Sequence, residues 1–262
     1  MDPARNFNRH NFEQGYLNMI ILAIGMPRAG SGWHYNYIKE LMSTTGCDDA
    51  RDIRSTFRLQ KILTEVNCNI GVLSLRRLLM VSIPTLLGHT FVIKAHSGPT
   101  PWLRFFVSIG LIRPLYVYRD PRDAMLSAHD YGQRVLEKQG RANSFSHLTD
   151  FKQAMDFFDP YIKDWEAWNI VPGVLITRYE DLLADFDGEG KKIITFLGLN
   201  PADERIKTIT NKNQPAGSVQ GKQGTHFFKG QIGRFRESYS EEELKLFYGK
   251  YGSILQKMGY SE

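Results

Sequence analysis

Cysteine is nearly absent from this chain. Only Cys47 and Cys68 occur, and no C-x-x-C pair stands anywhere, which excludes a disulfide-stapled miniprotein. The two read as buried thiols of a reducing compartment, with a single pairing between them as the alternative. Long apolar runs are missing too. The most apolar stretch, Leu78 to Ile93, is too short to span a bilayer and is interrupted by Pro84, Gly88 and His89. It reads as a core helix, with a membrane-touching or lipid-binding helix as the weaker reading. The start, MDPARNFNRHNFEQGY, is polar and of mixed charge, unlike a secretory signal, so a soluble cytoplasmic protein without stable membrane insertion is expected. No long basic run occurs. The densest patch, Arg51 to Arg58, reads as a solvated helix face, and a nucleic-acid partner is not expected. Internal repeats and Ser- or Gly-rich linkers are also lacking. What is present is an ordinary globular composition: 262 residues, 42% hydrophobic, 12% aromatic, with 33 Lys and Arg against 28 Asp and Glu. The resulting charge of +5 points to an acidic partner without identifying it.

Four short runs are apolar without alternation, as strands buried on both faces are: Met19 to Gly25, Thr90 to Lys94, Pro114 to Arg119 and Val174 to Tyr179. Helical segments separate them. One covers Ser31 to Ser43; another starts at Pro121 behind an Asp120 cap. Phe151 to Trp168 carries apolar residues at helical spacing, and its aromatics read as core. Ser240 to Glu243 forms a capping box before a last helix running towards Met258. Strands alternating with helices predict one α/β domain over 1–262 with a four- or five-stranded parallel sheet. Residues 1–17 read as an N-terminal extension. The long polar segment 211–233 has the length of a functional loop.

Ligands of open α/β sheets bind beyond the carboxyl ends of the strands. Those ends here are Met26-Pro27-Arg28, Lys94-Ala95-His96, Arg119-Asp120 and Arg178 to Asp181, each with a cationic side chain, which predicts an anion site on that rim. The first turn, Gly25 to Trp33, has the strand, glycine-rich loop and helix context of a phosphate cradle. Gly25 and Gly30 stand at Walker A spacing, but the Lys that should follow Gly30 is replaced by Ser31-Gly32, which disfavours ATP or GTP chemistry. A small-molecule kinase with Asp120 on Mg²⁺ remains the poorer alternative. No clustered carboxylate or His/Cys ligand set appears, so no metal is expected.

Pro27-Arg28-Ala29-Gly30-Ser31-Gly32-Trp33 resembles the 5′-phosphosulfate loop, P-K-S-G-T-T-W, of sulfotransferases that use 3′-phosphoadenosine 5′-phosphosulfate (PAPS). Arg119-Asp120-Pro121-Arg122-Asp123 to Ser127 resembles that family's 3′-phosphate motif. Lys94-Ala95-His96 is similar to its K-[TS]-H strand end, Tyr179-Glu180-Asp181-Leu182 to its Y-E-D-[LM] element, and Phe228-Lys229-Gly230 to Gly233 to its late R-K-G-x-x-G loop. The five elements follow the family's order and cover most of the chain.

The resemblance implies a P-loop-like sulfotransferase fold and an enzyme moving a sulfuryl group from PAPS to an acceptor hydroxyl, leaving PAP and a sulfate ester. It implies that Arg28, Ala29, Gly30, Ser31 and Gly32 hold the 5′-phosphosulfate, with Arg28 at the bridging oxygen. Trp33 stacks on adenine on this reading and is a plain core aromatic on the other. Arg119 and Ser127 hold the 3′-phosphate, Phe228, Lys229 and Gly230 close over it, and Tyr179 belongs to the cofactor site. His96 is the implied general base, with Lys94 neutralising the group in transfer. His34 and His129 stand near enough in sequence to approach the acceptor but read as structural. Four departures mark a divergent member: Arg28 replaces the usual Lys, Gly32 a Thr, Phe228 an Arg, and Phe235 stands where Trp is common. The acceptor is expected to be a small-molecule, lipid or carbohydrate alcohol or phenol. Its pocket is expected to be lined from Ser97 to Trp102, His129 to Gln133 and Ser55 to Leu87, with Trp102, Phe105, Phe106 and Tyr131 as apolar surface and His129 and Arg134 as polar handles. A domain that binds PAP without turnover is the non-enzymatic alternative.

Overall fold

The computed structural model describes residues 18–140, 142–215 and 231–261. The first half runs β1 (Ile20–Gly25), α1 (Ser31–Ser43), α2 (Ala50–Thr56), α3 (Leu75–Leu86), β2 (Phe91–Ala95), α4 (Pro101–Ser108) and β3 (Ile112–Tyr118). It continues with α5 (Pro121–Gln139), α6 (Phe151–Asn169), β4 (Leu175–Arg178), α7 (Tyr179–Ala184), α8 (Phe186–Phe196), α9 (Glu204–Asn213), α10 (Phe235–Ser238) and α11 (Glu241–Lys257). The four strands form one parallel sheet in the order β2-β1-β3-β4. The expected strands and the helix starts at Ser31, Pro121 and Phe151 are all found, and the sheet has four strands.

Burial on both faces explains why the strands read as unbroken apolar runs. Successive side chains of a strand point to opposite faces. Ile20, Leu22 and Ile24 of β1 accordingly join one core with residues of α3, α4, α5, α6 and α11, while Ile21 and Ala23 join a second with α1, α7, α8 and α9. Each fully buried Ile or Leu removed from water contributes roughly 1.5–3 kcal/mol before entropy is counted. In β2 the same alternation puts Phe91, Ile93 and Ala95 in the first core and Val92 in the second, so Lys94 emerges on the α1 side.

Helix ends follow their caps. Asp120 accepts from Arg122 N–H at the start of α5, and Ser240 and Glu243 close the capping box of α11. The apolar stretch behaves less simply than a core helix. Leu78 and Val81 of α3 are buried, but Leu79, Ile83 and Leu86 face water. Cys47 and Cys68 are free thiols, Cys68 buried and Cys47 only partly so. Among the described residues no helix is long and apolar enough to cross a membrane.

Candidate active site

All four carboxyl strand ends lie on one rim, because the strands are parallel. Chain order reverses about β1, with β2 on one side and β3 on the other, and this opens the crevice in which such sheets take ligands. A cavity of about 370 Å³ lies there. Its wall includes Arg28, Gly30, Ser31, Gly32 and Trp33 from the first loop, Lys94 and His96 from the end of β2, Arg119 and Ser127, and Tyr179. Eight of the predicted side chains and the backbones of Gly30 and Gly32 therefore meet in one place.

The first loop owes its path to two glycines. A Cβ on Gly25 would sit 2.5 Å from Ser31 Cβ and 2.8 Å from Val117 Cγ1, so only glycine lets the helix start fold back onto the strand. Gly30 has φ +73°, in the left-handed region, and a Cβ there would meet the Tyr179 ring at 2.7 Å. Gly30 O accepts from His34 N–H as the first bond of α1, so the N–H groups of Ser31 and Gly32 precede the helical ladder and are available to an anion. Ala29 departs from its expected place. Its N–H is used by Met26 O at 3.2 Å, its side chain is wholly buried, and it does not line the cavity.

Arg28 also has a left-handed backbone, φ +62°, which costs a non-glycine residue roughly 1–2 kcal/mol. Its guanidinium lies 4.4 Å from the centre of the Tyr131 ring, and its Nε donates to Ser127 Oγ at 3.3 Å. The two residues expected at the 5′- and 3′-anions of one ribose are thus directly hydrogen-bonded to each other. Burial lowers the Arg28 pKa from its ordinary value.

Arg119 is buried with its guanidinium over the Tyr179 ring, 4.8 Å from its centre. It donates to Gln231 O at 2.8 Å and stands 3.6 Å from Asp123. Its Nε is buried with no hydrogen-bond partner among the described residues. Asp123 also accepts from Gly233 N–H at 2.7 Å and Phe235 N–H at 3.1 Å, so it ties the returning 231–235 segment to the start of α5. Phe235 is buried with its ring 3.9 Å from the Arg122 guanidinium. Phe228, Lys229 and Gly230 lie outside the described residues.

His96 Nδ1 is 2.6 Å from Gly25 O. A carbonyl can only accept, so Nδ1 carries the proton and Nε2 is the basic nitrogen of the neutral ring. Burial first, and Lys94 second, lower the His96 pKa to about 4, so the ring is neutral at ordinary pH. The following loop is held by Ser97, whose Oγ donates to Gly71 O at 2.9 Å and whose carbonyl accepts from Trp168 Nε1 at 3.3 Å. Burial and then Arg28 lower the Lys94 pKa to about 8. A pocket that disfavours the charge of its own lysine favours an added anion.

Trp33 lines the cavity, but its ring also stacks on Phe186 at 5.3 Å and its Nε1 donates to Asn213 O at 2.9 Å, so it belongs both to the cavity wall and to the second core. His34 is buried against the second core and does not line the cavity; neither does the half-exposed His129. The expected acceptor wall is largely revised. Tyr131, Arg134 and Asn67 do line the cavity, but Trp102 and Phe105 are exposed on α4 and Phe106 is core. The remaining wall is Ser144, Phe145, Phe157 and Tyr161, with Asp130 bound to Arg234 at 2.8 Å. The α6 aromatics had the spacing of core residues, and nothing in their sequence marks which ones face a cavity.

Glu180 accepts from Asp120 N–H at 3.0 Å and from Tyr260 OH at 2.7 Å, and burial raises its pKa. Both Asp120 oxygens are held by Arg122, at 2.9 and 2.7 Å. The carboxylate that a kinase reading sets on Mg²⁺ is therefore buried in an ion pair.

The sulfotransferase domain family matches residues 21–245. Comparison with curated protein sequences gives no significant match. Among solved structures, retinol dehydratase in complex with androsterone and inactive cofactor PAP is 19% identical, with a TM-score of 0.56 over 90% of this chain and 80% of that one. A mouse sulfotransferase complexed with PAP is 14% identical, with a TM-score of 0.56 over 91% of this chain and 85% of that one. These similarities are of fold. With the domain match running from β1 into α11, the chain belongs to the sulfotransferase family.

Proposed function

We propose that this protein is a PAPS-dependent O-sulfotransferase acting on a small-molecule hydroxyl acceptor. The observation that carries the reading is the grouping of Arg28, Lys94 and Arg119 with a neutral His96 around one cavity, where burial already draws Lys94 towards neutrality. The residues fit a polyanionic nucleotide. Ser31 and Gly32 offer N–H groups at a helix start, Arg119 Nε has no partner among the described residues, and Ser127 offers a hydroxyl. Two fold neighbours were crystallised with PAP, which supports the same ligand here. Lys229 and Gly230 complete the 3′-phosphate site on this reading.

PAPS supplies an activated sulfuryl group whose transfer breaks one S–O bond and forms another to the acceptor oxygen. His96 Nε2 takes the acceptor proton, while its Nδ1–H, fixed on Gly25 O, holds the ring's tautomer and orientation. Arg28 and Lys94 stabilise the charge that grows as the bond breaks, in a site already arranged for it. Such catalysis rests on positioning and electrostatics, as in phosphoryl transfer.

The acceptor end is walled by Tyr131, Phe145, Phe157 and Tyr161, whose successive rings lie 6.0, 5.6 and 5.6 Å apart. That suits an acceptor with an apolar or aromatic body. Thermal shift against PAP and against ATP·Mg²⁺ separates this reading from a kinase: PAP stabilises the protein, whereas stabilisation by ATP·Mg²⁺ alone would overturn the proposal. His96→Ala is expected to lower transfer from labelled PAPS to a panel alcohol or phenol by at least about a hundredfold while leaving PAP affinity nearly unchanged. Turnover that survives the substitution rules His96 out as the base.

A further inference from the structure

Large apolar side chains exposed to water are unevenly distributed over this molecule. Of thirteen among the described residues, nine fall between Val66 and Ile109. Two sets of them are ordered. Leu79, Ile83 and Leu86 recur at helical spacing on α3, with Leu87 just beyond, and Trp102, Phe105 and Ile109 recur likewise along α4 and its cap. The two helices pack against each other. Leu86 is 73% and Trp102 50% exposed, so these are not grazing exposures at the edge of a core.

The charges in the same stretch are all of one sign. Between Glu65 and Asp120 the chain has no acidic residue, while Arg76 and Arg77 stand in the first turn of α3 and Arg104 in α4. Arg77 is turned back onto Ile70 O, but Arg76 and Arg104 have no ion-pair partner among the described residues. Contiguous exposed apolar surface rimmed by polar groups marks an interaction site. Trp, Phe and Leu beside unpaired Arg is the composition of a surface that enters the boundary between anionic headgroups and acyl chains.

We infer that the α3–α4 face docks the protein on an anionic lipid bilayer, without spanning it. A second copy of the chain is the less favourable occupant. A two-fold contact sets the same patch against itself, bringing Arg76 and Arg104 of both copies together with no carboxylate from either helix to offset them. Anionic headgroups supply that missing charge. The inference is independent of the sulfuryl donor and acceptor, since neither stripe lines the cavity. Yet α4 follows directly on the loop that carries His96 out of β2, so docking by this face also brings that loop close to the bilayer.

The test is flotation of the full-length protein with phosphatidylcholine vesicles with and without phosphatidylglycerol, at low and high salt. Binding is expected to require the anionic lipid and to weaken with salt. Trp33, Trp165 and Trp168 are buried, so quenching of tryptophan emission by brominated lipid reports on Trp102. An Ile83→Ser/Leu86→Ser/Phe105→Ser variant removes only exposed side chains. It is expected to keep its unfolding midpoint and to bind anionic vesicles at least roughly tenfold more weakly. Arg76→Ala/Arg104→Ala is expected to lose the preference for phosphatidylglycerol. Four results each overturn the inference: no binding to anionic vesicles, equal binding to neutral ones, unaltered binding of the triple serine variant, or a solution dimer that this variant dissociates.

Discussion

His96 and Lys94 divide the proposed chemistry by their environments. They stand two apart at the end of one strand, yet burial pushes both towards the neutral form, which equips the imidazole to accept a proton and leaves the lysine dependent on a bound anion to stay charged above about pH 8. The pH dependence follows with its sign. His96 must be unprotonated, so kcat/KM is expected to hold through pH 6 and fall only towards about 4, below the ordinary histidine value of 6.5. Lys94 must be protonated, so the alkaline fall lies near pH 8 in kcat/KM, which reports the free enzyme. In kcat that fall moves upwards, because the bound anion stabilises the ammonium. Lys94→Arg, which keeps its charge at any working pH, is expected to remove the alkaline limb while retaining part of the rate. An alkaline limb unchanged in Lys94→Arg assigns that ionisation to another group. The identity of these two residues was legible in the sequence as a strand end of the form Lys-x-His. Their pKa values were not, because burial by α1 and the proximity of Arg28 arise only when β2 pairs with β1.

At the scale of elements, the loop between β1 and α1 is shaped by contacts with a segment some 150 residues away. Tyr179, the first residue of α7, has its ring against the Gly30 backbone and under the Arg119 guanidinium, so one side chain braces both anion-binding segments. Gly30→Ala is therefore expected to act twice. The left-handed backbone costs about 1–2 kcal/mol for alanine, and the new Cβ, 2.7 Å from the ring, displaces Tyr179 and loosens Arg119. Calorimetry is expected to show a lowered unfolding temperature, and titration a weakened PAP affinity. Wild-type values for both would contradict the described packing. The strands were legible because burial on both faces confines polar side chains to positions at or next to the strand ends, such as Lys94 and Arg113, and α5 because Asp120-Pro121 is an explicit start signal. The apolar helices were not. Leu79, Ile83, Trp102 and Phe105 are indistinguishable in composition from Leu78, Val81, Leu103 and Phe106, so the sequence marks no outward face. The cavity's aromatic wall failed for the related reason that Phe157 and Tyr161 share a helix with the core residues Phe158 and Ile162.

For the whole molecule, the site's electrostatics are linked to stability through a histidine outside the cavity. His34 of α1 is 2% exposed, and both ring nitrogens are buried without a hydrogen-bond partner among the described residues. Burial, with Lys94 adding repulsion, lowers its pKa from 6.5 to about 3. The folded state thus binds no proton on His34 in a range where the unfolded chain does. Stability rises with pH wherever the unfolded state binds more protons. The contribution of His34 is accordingly complete above pH 6.5 and is lost progressively as pH falls towards 3. Going from pH 7 to 5, protonation of the unfolded imidazole alone removes about 2 kcal/mol. His96 acts in the same direction over a narrower range, ending near pH 4. Other titrating groups also contribute, so the comparison must be between variants. His34→Leu removes one proton site and two unpaired polar atoms from a buried position at nearly constant volume. It is expected to be more stable than the wild type in urea unfolding at pH 5, with a difference that shrinks by about 2 kcal/mol on moving to pH 7. A difference independent of pH would mean that His34 is protonated equally in both states and that its burial is relieved by water.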